Sequence, residues 1–204
     1  MEIARCIMGF AGHMIDKPTR KPPRFPPSAE SLVRLAIRQC LERYNPEITV
    51  SSAACGGDII FAEESINLKI PVCIILPFEN KEDFILQSVS FPEDGEKWVK
   101  RFYNVLGNAK HVFYVNPKGY TNDKDFEDNQ HAIIFFLLGI QEILNAQIVN
   151  IVLYDSQSPS TGNGGTKCFL ELCESLESSG YSLVHEKIRM EEVRDGHKYW
   201  EIDI

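Results

Sequence analysis

Three segments concentrate glycine and small polar residues: Gly9-Phe10-Ala11-Gly12, Ser51-Ser52-Ala53-Ala54-Cys55-Gly56-Gly57-Asp58 and Gly162-Asn163-Gly164-Gly165-Thr166. Each lies at or just beyond the end of an apolar run. Glycine lets backbone approach a ligand closely and take positive φ. A helix starting just beyond it offers free N–H groups and the positive end of its dipole to a phosphate. The chemistry expected is therefore phosphate binding. Gly9, Gly12, Gly56, Gly57, Gly164 and Gly165 would approach by backbone, with Cys55 in the same turn, and Thr166 would add a hydroxyl. None of the three is a P-loop, because no Gly-Lys-Ser/Thr follows, and none spells the full GxGxxG fingerprint. One such turn alone is more often a plain strand-to-helix turn; three in one chain point to a site.

Side chains near these turns extend the expectation. His13 follows Gly12 and can hydrogen-bond a phosphate or ribose, or be an exposed loop histidine. Arg20, Lys21 and Arg24 lie in the basic proline loop Lys17 to Pro27. Arginine binds phosphate bidentately, so Arg24 is placed at the ligand, although charge runs are usually solvated loops. Asp58 suits a helix cap, with ribose hydroxyls as the other reading. Arg101, within WVKRF, is a further phosphate contact, beside Trp98 and Phe102 at core spacing. Phe78 can stack on a base, although packing is the default for phenylalanine. Asp155 and Asn129 are lesser candidates. Glu63 and Glu64 read as a solvated helix face, with Glu63 the one carboxylate nominated for catalysis.

The elements that must position these groups follow from periodicity. Ala4 to Phe10, Ile48 to Ala53, Val72 to Leu76, His111 to Val115, Ile148 to Tyr154 and Tyr181 to His185 read as strands. Helices are expected from Ser28, as cap, through Cys40, then over 59–68, 81–90, 96–106, 127–146 and from 162–166 to 176. Strand and helix alternate, with connections too long for hairpins. That predicts an α/β class: a Rossmann-like, doubly wound, mainly parallel sheet with helices on both faces, formed by residues 1–204 as one domain. Ligands of such sheets sit beyond the carboxyl ends of the strands.

Composition narrows the class. The chain has 204 residues, 44% hydrophobic and 25% charged, as in ordinary globular domains. No apolar run approaches the roughly 18 residues of a membrane helix. The N-terminus lacks a signal-peptide pattern, so a cytoplasmic protein without a membrane partner is expected. Six cysteines without CxxC pairs argue against a zinc site or a disulfide framework, and no metal or cofactor is expected. The net charge of −8 argues against a nucleic-acid partner, since phosphate neutralisation dominates such affinity.

The segments GFAGHMID, SSAACGGDIIFAEE and IPVCIILPF, with WVKRFYNVL and the later GNGGT, resemble the SLOG superfamily over residues 4 to 180. That group unites cytokinin-activating LOG enzymes, a DNA-processing protein and ligand-sensing domains. The resemblance implies a Rossmann-like sheet binding nucleotides or nucleotide-derived signals, and assembly into homo-oligomers, which is common among relatives. LOG enzymes carry PGGxGTxxE, whose glutamate takes part in cleaving the base–ribose bond. Here the segment is TGNGGTKCF: Thr161 replaces the proline, Asn163 a glycine and Phe169 the glutamate. The expectation is therefore a domain that binds or senses a small nucleotide-derived ligand, ADP-ribose-like or cyclic. The alternative is a LOG-like N-glycosidase releasing a base from a nucleoside monophosphate, with Glu63 as its carboxylate.

Overall fold

The computed structural model describes residues 5–156 and 165–194. Its first strand, β1 (Cys6–Gly12), shows why a sheet forms at all. Cys6, Met8 and Phe10 enter one apolar cluster, and Ile7 and Ala11 the other, so both faces of the strand are covered. β3 (Val72–Phe78) and β5 (Gln147–Tyr154) are likewise almost wholly buried. With β2 (Thr49–Ser51), β4 (His111–Asn116) and β6 (Leu183–Arg189) they form one six-stranded sheet in the order β4-β3-β2-β1-β5-β6. Every pairing is parallel, as the long connections require.

Helices cover both faces. α1 (Glu30–Tyr44), α2 (Gly57–Asn67), α3 (Lys81–Ser88) and α4 (Gly95–Asn108) pack over the larger cluster, where Trp98, Phe61 and Phe102 are buried. α5 (Lys124–Leu144) and α6 (Thr166–Ser178) cover the other face through Ile133, Leu137 and Phe169. The chain winds outward from β1 to β4, then α5 carries it back across to β5 on the far side of β1. The switch point thus lies between the ends of β1 and β5, where ligand crevices form in such sheets. α7 (Met190–Arg194) follows β6.

The predicted α/β class and the order of its elements agree with this structure, with edges moved by a few residues. One cap does not. Ser28 falls within a short 3-10 turn (Pro27–Ala29), and α1 begins after Ala29 without a side-chain cap bond. Prolines 26 and 27 direct the chain into that turn with fixed φ, which removes the need for a serine cap.

Candidate functional site

A cavity of about 370 Å³ opens at the switch point, beyond the ends of β1 and β2. Its floor is Gly12, His13 and Ser52; Arg20 and Arg24 come from the loop after β1; Asn129 and Gln130 come from α5. Gly165 and Thr166 add the start of α6, and Phe84 and Phe126 supply apolar wall.

The loop that carries the arginines is tied down by its own backbone. The Arg24 N–H donates to the Asp16 carboxylate at 2.7 Å, and the Asp16 N–H to the Phe25 carbonyl at 2.8 Å. Arg20 Nε lies 3.3 Å from the same carboxylate. Arg194 on α7 completes the anchor: its Nη1 donates to the carbonyls of Pro23 and Arg24, each at 2.8 Å, and to Asp155 Oδ2 at 2.7 Å. The side chain of Arg24 is left for the cavity. Its Nε has no hydrogen-bond partner among the described residues. Burial, and then the neighbouring Arg20, hold its proton affinity below the ordinary arginine range. Both effects are relieved by an anion.

The opposite wall, from α5, carries unsatisfied amide groups. Asn129 is 2% exposed, and its Oδ1 has no partner among the described residues; nor does the buried Oε1 of Gln130. A buried acceptor left unmade costs about 1–3 kcal/mol, so it asks for a donor from a ligand.

His13 is at the site in a role other than the expected one. It is buried, and its Nε2 accepts the Asp155 backbone N–H at 2.8 Å. That places the ring proton on Nδ1, which faces Thr166 Oγ1 at 3.5 Å. Burial, with Arg24 nearby, pushes its pKa down to about 3, so the ring is neutral. It joins the ends of β1 and β5 to the start of α6.

The glycines of the first two turns are used for packing. A Cβ on Gly12 would stand 2.6 Å from the Phe10 ring and 3.2 Å from Gly57 Cα; one on Gly57 would stand 3.1 Å from Gly12 Cα. Gly56 has φ of 100°, and a Cβ there would meet the Ile15 nitrogen at 2.5 Å. These glycines let the chain after β1 press onto the start of α2, where Gly57 N–H donates to the His13 carbonyl at 3.0 Å. Asp58 lines the cavity, and its carboxylate accepts the N–H groups of Gly12 and Ala54, each at 3.3 Å. It is not the expected cap, since the N-cap of α2 is Gly56. Burial raises its pKa to about 7, against the pull of those two N–H bonds.

Other expected contacts lie elsewhere. Gly9 sits inside β1, where a Cβ would meet Asn150 Oδ1 and Leu137 Cδ1 at 2.5 Å, so it serves close helix–sheet packing. The Cys55 side chain is fully buried, and burial pushes its thiol pKa up. Phe78 is also fully buried, edge-on to Phe84, Tyr120 and Phe126, which excludes base stacking. Arg101 stacks on Trp98 and pairs with Glu30 at 2.8 Å and Glu63 at 2.7 Å. Gly164 lies outside the described residues, whereas Gly165 and Thr166 do line the cavity. Ser52 lies in the second small-residue segment but was not singled out, and Gln130 and Arg194 were not anticipated, because nothing local in the sequence marks them.

Glu63 also answers the N-glycosidase alternative. Against the cost of burial, hydrogen bonds from Arg101 and Arg34 hold its carboxyl below the ordinary range. Both its oxygens are taken by those guanidinium groups, and it does not line the cavity. Among the described residues no group of His, Cys, Asp or Glu could hold a metal, and no helix is long and apolar enough to cross a membrane.

No family model matches the chain, and no curated protein matches it. Among solved structures it is similar to DNA processing protein A from Streptococcus pneumoniae, with TM-score 0.40 and 14% identity over 96% of this chain. The chain spans 62% of that protein. It is also similar to DNA processing protein A from Helicobacter pylori, with TM-score 0.38 and 11% identity, covering 94% of this chain and 80% of that one. The second is described by its binding of single-stranded DNA. Two expectations are corrected by these neighbours: that the ligand is a free nucleotide or nucleotide-derived signal, acted on or not, and that the chain has no nucleic-acid partner. The net charge is a sum over groups that the fold separates. Glu30, Glu63 and Glu64 are consumed by Arg34, Arg38 and Arg101, while Arg20 and Arg24 stand at the cavity.

Proposed function

We propose that the strand-end cavity takes one nucleotide unit of a single-stranded nucleic acid, with the backbone phosphate at Arg20 and Arg24. The observation that carries this is the Arg24 guanidinium, partly buried beside a second arginine and unpartnered at Nε among the described residues. A phosphodiester supplies the missing charge and acceptors together. Exposed Lys17 and Lys21 in the same loop extend the positive potential along a continuing strand, which suits a polymer better than a single nucleotide. The cavity volume lies within the range of small-ligand sites, enough for one base and its sugar. The reading brings to this chain the kind of ligand named for the second neighbour. It keeps the chain within the SLOG resemblance, as one domain. Cys6, Cys40, Cys55, Cys73 and Cys173 are buried thiols, which suits a reducing, cytoplasmic setting.

The test is fluorescence anisotropy of a labelled short oligo(dT) titrated with the purified chain. Arg24→Glu should weaken binding by about thirtyfold, since hydrogen bonds to charged groups contribute about 1.5–3 kcal/mol. The melting temperature should hold, because Asp16 is held by the backbone of Arg24 and not by its side chain. Affinity should also fall with salt. Equal affinity in wild type and Arg24→Glu would remove the cavity from the interface.

A further inference from the structure

We infer that the cavity, taken as the strand site above, selects the base it receives: its α5 wall fits a base edge carrying two adjacent donors, the N1–H and N2 amine of guanine. The two walls differ in kind. The cations, Arg20 and Arg24, come from the loop after β1, while the α5 wall offers Asn129, Gln130 and Asp123. Asn129 Oδ1 and Gln130 Oε1 are both buried acceptors without partners among the described residues, and they come from consecutive residues of one helix. Asp123, at the N-cap of α5, adds a carboxylate, an acceptor at neutral pH whichever way it turns. Phe126, between them on the same helix, gives flat apolar surface against which a base can lie.

The chemistry of the four bases then separates them. Guanine presents two donors side by side and can satisfy both amide oxygens. Adenine and cytosine each present one amine beside a ring acceptor, so one oxygen stays unmade. Thymine presents one N–H between two carbonyls, which would face the protein's acceptors oxygen to oxygen. An unmade buried acceptor is costly, so the order expected is guanine first, thymine last.

The experiment uses the whole chain and short oligo(dT) strands carrying one central dG, dA, dC or deoxyinosine, with oligo(dT) as reference. The dG strand should bind about tenfold more tightly than oligo(dT), within the discrimination of a two-point base contact. Deoxyinosine, which lacks the N2 amine, should lose most of that gain. Asn129→Leu with Gln130→Leu should erase the discrimination, so that the dG strand and oligo(dT) bind alike. The deoxyinosine arm needs no variant, so a misfolded double mutant cannot decide the matter. Equal, Arg24-dependent affinity for all strands would overturn base selection and leave the strand site standing. Binding to none of them would overturn both.

Discussion

Arg24 and Arg101 are the same residue type, each partly buried in the same molecule, and their surroundings assign them opposite roles. Arg101 lies over the Trp98 ring at 3.8 Å and meets Glu63 and Glu30. Around it Arg34 reaches Glu63 at 2.7 Å and Glu64 at 2.6 Å, and Arg38 reaches Glu64 at 3.2 Å. Every carboxylate of that network has a cation, so it can hold α1, α2 and α4 together but has nothing left for a ligand. At the strand ends the charges do not close. Among the described residues Arg24 keeps an unpartnered nitrogen, and two amide oxygens on the far wall of the cavity have no donor. Saturation marks structure, and unsatisfied buried polar groups mark a place for something else.

The contrast can be broken in three further ways, beginning with the glycines. Gly12→Val should unfold or loosen the β1–α2 contact, at a cost of about 3 kcal/mol for overpacking against backbone. The expected result is a lower melting temperature, in proportion to the stability lost. A stable Gly12→Val that merely lost oligonucleotide would return the glycine to the ligand.

Glu63→Gln should cost less, about 2 kcal/mol, by leaving Arg101 and Arg34 short of one carboxylate in a mostly buried setting. Chemical denaturation would measure this. Oligonucleotide affinity should not change, and a loss of binding at full stability would join the two regions.

The smallest effect, in the wild type, is a pH dependence confined to the cavity. His13 has its pKa lowered from 6.5 to about 3, so its contribution to stability is complete above 6.5 and lost as pH falls towards 3. Asp58 is raised from 3.8 to about 7, so its contribution is complete below 3.8 and lost as pH rises towards 7. Between 3.8 and 6.5 the two slopes oppose, and wild-type stability should be nearly flat on their account. Asp58→Asn should expose a fall towards acid, and His13→Gln a fall towards neutral pH, each about 1.4 kcal/mol per pH unit. Denaturant midpoints measured across that range would show it. Two flat variants would mean that neither group titrates as its burial implies.

Much of the fold was legible because its signals are local. Val72 to Leu76 is a buried strand on any reading, and the alternation of apolar runs with amphipathic ones leaves little but a parallel sheet. The arginine of the site could also be found, since Arg24 sits in a basic loop just after a strand end. Asn129 was visible only faintly, as one polar residue in a long apolar helix. Gln130 was not visible at all, because the face it takes depends on how α5 lies across the sheet.

The sequence by itself determined the class of the sheet, the order of its elements and the presence of a basic loop at a strand end. Only the tertiary structure decided what the glycines and charges do. Gly12 and Gly57 touch each other across 45 residues, Arg101 reaches Glu63 across 38, and His13 meets Asp155 across 142. A hydrogen-bonding group becomes available or consumed according to its partners, and those are assigned by packing of segments far apart in the chain. Composition could count the charges of this protein. It could not say which of them had already been neutralised.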